Sequence, residues 1–123
     1  MTTRVFVYGT LKRGHGNNRL LHGAEFISEA ISREEYGFYR AGIPYVYKSP
    51  KDGDDPVRVI GELWDVDQPT LAALDRLEGH PTWYKREIIQ VMNQYGKAEP
   101  AYIYFMQGDP NECGGMRVSS GMF

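Results

Sequence analysis

The chain has 123 residues, of which 41% are hydrophobic and 24% charged, and its formal net charge is −2. This composition is typical of a soluble globular protein, and we interpret residues 1–123 as one domain with a glycine-rich tail over residues 107–123. The charge argues against nucleic acid as the main partner. No stretch indicates a membrane span or a secretory signal, which favours a cytoplasmic protein without membrane partners.

The first predicted element is a short strand that ends at a glycine. Val5-Phe6-Val7 is β-branched and aromatic, which predicts a buried strand, and Tyr8-Gly9-Thr10-Leu11 follows it. Gly9 can adopt backbone angles closed to other residues, so we expect a sharp turn there. Successive N–H groups past such a turn can bind an anion or a developing oxyanion. An ordinary strand end is the simpler alternative for this stretch alone.

The next fifty residues predict loops and short strands. A basic loop over residues 12–18 precedes a short helical segment that Asn17 or Asn18 caps and that ends near Gly23. Strands are predicted over residues 24–32, 36–39 and 43–47, and Pro44 makes the last one an edge strand. Residues 51–56 predict an exposed acidic turn without the spacing of a calcium loop.

A long central strand and one clear helix come next. Residues 57–66 are apolar on both faces, and Gly61 within them indicates a bulge or a close approach to the backbone. The pattern predicts a helix over residues 67–78, with Asp67 as the N-cap and Gly79 as a left-handed C-terminal residue. Its leucines at residues 71, 74 and 77 are expected to pack on the sheet.

The remaining residues predict a hairpin and an irregular tail. Residues 85–92 and 101–106 are apolar strands around a turn at residues 93–97. The tail is expected to have little regular structure while lying across the domain. Its Cys113 is the only cysteine, which excludes an internal disulfide, and we interpret it as incidental.

Glu78 is the candidate for chemistry because it violates a local rule. The C-terminus of a helix carries partial negative charge, which disfavours a carboxylate there. Desolvation in a cavity adds to this effect, and both raise the pKa of a carboxyl group, which suits proton transfer near neutral pH. An exposed glutamate that happens to end a helix is the alternative.

The connector after the helix is stiff and aromatic. Tyr84 is a candidate wall of a pocket beside Glu78, and Arg86 is a candidate for orienting a carboxylate, although both also fit a framework role. His80 is interpreted as a solvated loop residue. Trp64 and Trp83 are candidates for narrowing the pocket or for the core.

Together the motifs resemble the gamma-glutamylcyclotransferase-like family. YGTL after the opening strand, GELW on the central strand, and LDRLEG followed by P-x-x-Y-x-R occur in the family's order along nearly the whole chain. Length and layout are most similar to its small gamma-glutamylamine cyclotransferase branch. The resemblance implies an α+β fold, a compact mixed β-barrel with one main flanking helix and a short second helix. The GGMRVSSGMF ending departs from the family pattern.

The resemblance also implies a function without a cofactor or metal. Tyr8, Gly9, Thr10 and Leu11 would hold the glutamyl part of a small gamma-glutamyl amine or amino acid, beside Tyr84. Glu78 would be the acid–base residue of a cyclisation that gives 5-oxoproline and releases the amine. The alternatives are a metabolite-binding module and an interaction domain that uses the basic loop. Monomer and weak homodimer are equally compatible with the sequence.

Overall fold

The computed structural model describes residues 1–123 and contains a closed five-stranded β-barrel with one α-helix beside it. The strands are β1 (Thr3–Val7), β2 (Glu25–Ala41), β3 (Ile43–Tyr47), β4 (Val57–Val66), β5 (Tyr84–Asn93), β6 (Ala98–Met106) and β7 (Met116–Arg117), and the helix is α1 (Gln68–Glu78). Two short 3₁₀ helices occupy Asn18–Leu21 and Pro110–Glu112. None of the helices has the length and apolar character needed to cross a membrane.

The barrel closes because β2, the first strand in the order, also pairs with β5, the last one. The order is β2-β4-β1-β6-β5, and β5 returns to β2 through residues 30–32. All pairs are antiparallel except β1 with β6, which makes the barrel mixed. The predicted α+β barrel with a main helix and a short second helix is therefore confirmed.

Strand β1 is buried on both faces and separates two cores. Phe6 and Tyr8 point into the barrel, where they pack among the side chains of the other strands. Val5 and Val7 point to the opposite face, against α1. This alternation is what a central strand with period two requires, and it delivers the end of β1 to the boundary between barrel and helix.

The sequence predicts two strands where the structure has one long strand. Residues 24–32 and 36–39 were predicted as separate strands, whereas β2 is continuous and bends where its register with β4 shifts between Ile31 and Glu35. The polar run between these residues resembles a turn, but the irregular pairing keeps it extended. The far half of β2 then carries β3 at the edge and β7 beside it.

Helix α1 begins and ends as predicted. The Asp67 carboxylate accepts a hydrogen bond from the Thr70 N–H at 2.8 Å, and Gly79 adopts the left-handed conformation with φ of 64°. Leu71 and Leu74 are buried against the barrel, but Leu77 is exposed, so the expectation that all three leucines pack on the sheet was wrong. A spacing of three residues drifts around a helix of 3.6 residues per turn, which carries the last leucine away from the buried face.

The tail has little regular structure beyond the two short elements at residues 110–112 and 116–117, and it lies across the barrel. Val118 is buried among the barrel side chains, and its N–H donates to the Phe38 carbonyl at 2.8 Å. Gly121 accepts a hydrogen bond from the Ile60 N–H at 2.8 Å. The segment closes one side of the barrel by backbone hydrogen bonds rather than by a helix.

Candidate active site

A cavity of about 180 Å³ opens where β1 ends and α1 ends beside it. Seven of its lining residues are ones that the sequence singled out: Tyr8, Gly9, Thr10, Leu11, Glu78, Trp83 and Tyr84. All other residues that line the cavity are uncharged, so Glu78 carries the only formal charge in its wall. The structure therefore brings the strand-end loop and the carboxylate of the helix end into one concavity.

The loop after β1 has free backbone donors, and its residues line the cavity. Its carbonyl groups are engaged, because Gly9 accepts from the Lys12 N–H at 3.0 Å and Thr10 accepts from the Asn17 N–H at 2.9 Å. The N–H groups of Gly9, Thr10 and Leu11 donate no hydrogen bond within the protein. Three consecutive free donors in a cavity wall favour an anionic or developing negative group as ligand.

Gly9 is required for space rather than for an unusual backbone angle. Its φ is not positive, which corrects the expectation of a turn that only glycine can make. A Cβ atom at this position would lie 2.3 Å from Cγ of Pro44 in β3. Such a distance is far inside van der Waals contact, so the edge strand with its proline fixes the identity of this loop residue.

The buried carboxylate of Glu62 fixes the position of the loop after β1. Glu62 on β4 accepts hydrogen bonds from the Arg13 N–H at 2.9 Å and from the Arg13 Nε at 3.0 Å. The indole of Trp64 donates to the same carboxylate at 3.2 Å, which places this tryptophan in the framework and not in the cavity. One cation of the basic loop, Arg13, is therefore engaged in an internal ion pair. The sequence contained one indication of this pair, because a glutamate on a strand predicted to be buried needs a partner for its charge.

Asparagine side chains fix the remainder of the loop. Asn17 donates from Nδ2 to Thr10 Oγ1 at 2.8 Å and itself lines the cavity. Asn18 donates from Nδ2 to the Leu11 carbonyl at 2.8 Å. Sequence reasoning assigned these two residues only to a helix cap, whereas neither makes a capping hydrogen bond from its side chain. Their contacts with the strand-end loop join positions seven residues apart.

Glu78 is partly buried and has no partner for its charge. The structure gives its carboxylate no hydrogen bond and no ion pair, and burial alone raises the pKa of Glu78 to about 7. At that pKa a carboxyl group is divided between acid and base near neutral pH, which is the condition for efficient proton transfer in both directions. The direction of this shift agrees with the prediction from its place in the sequence.

Arg86 does not serve Glu78. Its Nε lies 2.9 Å from Oδ1 of Asp75, one turn earlier on α1, and Tyr104 donates from its hydroxyl to the same oxygen at 2.7 Å. His80 accepts from the Arg86 N–H through Nδ1 at 3.2 Å, so this histidine is also part of the framework. Arg86 does pair with a carboxylate, as the sequence suggested, but that carboxylate belongs to Asp75 and has a structural role.

Two tyrosines join the wall of the cavity to the strands behind it. The Tyr8 hydroxyl donates to the Tyr104 carbonyl at 2.7 Å, and the Tyr84 hydroxyl donates to the Pro44 carbonyl at 2.9 Å. Burial, with the nearby charge of Glu78 as a further cause, raises the pKa of both phenols. Both therefore stay neutral and act as uncharged walls around the single carboxylate.

The barrel has a cavity that combines free backbone donors with one unpaired carboxylate, and this arrangement suits acid–base chemistry on a small molecule. Comparison with known proteins then gives the family. A family model described as gamma-glutamyl cyclotransferase, AIG2-like, matches residues 5–123. The chain belongs to this family.

Relatives extend the match along most of both chains. A family member from Methanocaldococcus jannaschii is 37% identical over 118 residues, which cover 95% of this chain and 92% of that one. The gamma-glutamylaminecyclotransferase C of Danio rerio is 38% identical over 116 residues, covering 84% and 74%. The crystal structure of an AIG2-like protein from Mus musculus superposes with a TM-score of 0.76 at 29% identity, covering 92% of this chain and 80% of that chain.

Proposed function

We propose that the protein is an enzyme that cyclises the gamma-glutamyl part of a small gamma-glutamyl amine or amino acid to 5-oxoproline and releases the amine. The observation that carries this proposal is the isolated carboxylate of Glu78, with its pKa of about 7, in the same cavity as three free N–H donors. Family membership and the names of relatives support the same reaction class.

The reaction begins with removal of a proton. The α-amine of the substrate is protonated at neutral pH and cannot attack until it loses a proton. The carboxylate of Glu78 is the one base in the cavity wall, and it accepts that proton. The free amine then attacks the γ-carbonyl carbon of its own chain, and a C–N bond forms in a tetrahedral intermediate.

The second half of the reaction returns the proton. The ring nitrogen of the intermediate loses a second proton as the bond between the γ-carbon and the leaving nitrogen breaks. Glu78 donates the first proton to the leaving nitrogen and accepts the second, which it then passes to the released amine, so the products are 5-oxoproline and the protonated amine. The N–H groups of Gly9, Thr10 and Leu11 have two possible ligands: the oxygen that gains negative charge at the γ-carbon, or the α-carboxylate of the substrate. In either role they hold the extended glutamyl chain in a cyclising conformation, and that positioning is a large part of the rate enhancement in an intramolecular reaction.

Release of 5-oxoproline from a panel of gamma-glutamyl amines and gamma-glutamyl amino acids tests the proposal. Mass spectrometry of the wild type and of Glu78→Gln is expected to show release that the substitution removes. Thermal unfolding of both proteins controls for a folding defect. Release that persists at the wild-type rate in the variant contradicts the mechanism.

Retained binding of a gamma-glutamyl compound by the wild type, with no product from any member of the panel, would instead favour the second candidate function. In that case the fold serves as a binding module for a small amino-acid-like metabolite. The free donors of the loop support either outcome, whereas the raised pKa of Glu78 favours catalysis. Location in the cytoplasm and a monomer or weak homodimer remain predictions from the sequence.

A further inference from the structure

The mouth of the cavity carries an unusual share of the exposed apolar surface of the molecule. Trp83 is 71% exposed, Ile43 is 47% exposed and Leu77 is 42% exposed, and all three line the same cavity. We call these three side chains the apolar rim. Large side chains exposed together at a concave site mark a binding surface for an apolar group, since a soluble protein gains nothing from leaving them uncovered.

The apolar rim lies beside the carboxylate that the leaving nitrogen must reach. Leu77 directly precedes Glu78 on α1, and Gly79 directly follows it. A Cβ atom on Gly79 would lie 3.2 Å from Cβ of Trp83, so the tryptophan packs over the turn that ends the helix. Because Glu78 donates a proton to the leaving nitrogen, the substituent on that nitrogen extends from Glu78 toward these side chains.

The same part of the cavity offers no partner to a charged substituent. Glu78 is the only charged residue among those that line the cavity, and it is occupied with the reacting proton. Among the cations close to lining residues in the sequence, Arg76 and Lys85 are exposed and do not line the cavity, and three others are already engaged. Lys12 donates to the Phe123 carbonyl, Arg13 pairs with Glu62, and Arg86 pairs with Asp75.

We infer that the released amine carries an uncharged apolar substituent, as in an alkylamine or arylalkylamine, and that this substituent packs against Trp83, Ile43 and Leu77. This inference rests on the proposed cyclisation and narrows its substrate class. An amine that carries a carboxylate, or a second ammonium group, places that charge against apolar side chains without a counter-charge. Sites discriminate strongly against groups whose polar atoms they leave unpaired.

The test follows product release from four conjugates and compares their kcat/KM values. Two carry apolar amines, γ-glutamyl-phenethylamine and γ-glutamyl-isoamylamine, and two carry charged ones, γ-glutamyl-ε-lysine and γ-glutamylglycine. We expect the apolar pair to be preferred by about tenfold or more. Turnover of either charged conjugate at or above the apolar ones overturns the inference and leaves the proposed function intact. Absence of 5-oxoproline from all four, and from the wider panel, overturns the proposed function and the inference with it.

Substitution of two exposed isoleucines, Ile43 in the apolar rim and Ile88 outside it, distinguishes a specific role of the rim from a general effect of exposed apolar surface. Ile43→Ala and Trp83→Ala are expected to lower kcat/KM for the phenethylamine conjugate several-fold, mostly through KM, with a smaller effect on γ-glutamylglycine. Ile88 is 60% exposed on β5 and lies outside this cavity, so Ile88→Ala is expected to leave all four values unchanged. Equal effects of the rim substitutions on every conjugate contradict a leaving-group role.

A reversal of preference gives the strictest test. Leu77→Lys places a cation beside the leaving group at an exposed position in the last turn of α1, where a positive charge also suits the helix dipole. The variant is expected to raise the ratio of kcat/KM for γ-glutamylglycine to that for the phenethylamine conjugate by about tenfold. An unchanged ratio in a folded variant shows that the leaving group does not lie against Leu77.

Discussion

Two carboxylates three residues apart in α1 respond to their surroundings in opposite directions. Burial acts to raise the pKa of Asp75, but hydrogen bonds from Arg86 and Tyr104 outweigh it, and the pKa of Asp75 is lowered. Burial also acts on Glu78, nothing compensates it, and the pKa of Glu78 rises to about 7. The comparison teaches that the partners of a carboxylate, rather than its depth alone, separate a structural group from one available for proton transfer.

Kinetics of two isosteric amide variants give the largest expected contrast. Glu78→Gln removes the proposed acid–base group, and loss of such a group typically lowers kcat by about two to four powers of ten. Asp75→Asn keeps Glu78 and the loop, so its kcat is expected within about tenfold of the wild type. The measurement is 5-oxoproline release at saturating substrate. Similar losses in both variants would mean that the helix end acts as one structural unit.

The pH dependence of the wild-type rate locates the working group. Glu78 must be ionised to accept a proton, so kcat/KM is expected to rise with pH through about 7 and to level off above it. Below that value the rate falls roughly tenfold for each pH unit, which gives about a hundredfold loss at pH 5. An acid limb centred near 4.5, the ordinary value for a glutamate, would show that burial does not tune Glu78.

The free energy of unfolding of Asp75→Asn tests the structural role of Asp75. The substitution weakens the hydrogen bonds with Arg86 and Tyr104 in a partly buried setting, so the free energy of unfolding is expected to fall by about 2 kcal/mol at neutral pH. The effect is present above the unfolded pKa of the aspartate and disappears as the pH falls through its lowered folded value. Urea denaturation checks it.

A second ion pair provides the control for this loss. Lys48 and Glu87 lie 2.7 Å apart, but the lysine side chain is 61% exposed. Exposed pairs contribute little, so Glu87→Gln is expected to change the free energy of unfolding by less than about 0.5 kcal/mol. A loss in Glu87→Gln as large as that in Asp75→Asn would mean that burial and the tyrosine contribute nothing to the Asp75 pair.

The position of Glu78 at the helix end and the direction of its pKa shift follow from the local sequence, whereas the network around it does not. Caps, helix ends and the penalty on a terminal carboxylate are local, so Asp67, Glu78 and Gly79 identify the helix and its unusual group from consecutive residues. The same locality made α1 and β4 predictable. No long-range contact is needed for any of these inferences.

The missed features depend on residues far apart in the chain. Glu62 fixes the loop through Arg13, 49 positions away. Pro44 leaves no room for a side chain at residue 9, which therefore has to be a glycine. Arg86 pairs with Asp75 instead of Glu78 because the approach of β5 to the helix selects between two carboxylates one turn apart. The path of β2 through residues 32–35 likewise depends on its pairing with β4 and β5. Sequence patterns name such residues but do not assign their partners.

The last expected effect concerns stability, and its sign is opposite for the two carboxylates. Glu78 has a folded pKa of about 7 against an ordinary value of 4.5, so between these values the folded protein binds more protons than the unfolded chain. Wild-type stability therefore falls as the pH rises through this interval, because ionisation leaves an uncompensated charge in the cavity. Glutamine has no charge to bury, so Glu78→Gln escapes this cost.

Urea denaturation at about pH 5 and about pH 8 separates the two variants. At the higher pH, Glu78→Gln is expected to be more stable than the wild type by on the order of 2 kcal/mol, allowing for partial exposure of the side chain. At the lower pH most of that advantage disappears, whereas the deficit of Asp75→Asn persists at both values because Asp75 is ionised throughout. A Glu78→Gln protein that is less stable than the wild type at the higher pH would show that the carboxylate has a favourable partner, and the case for its chemical role would fail with its isolation.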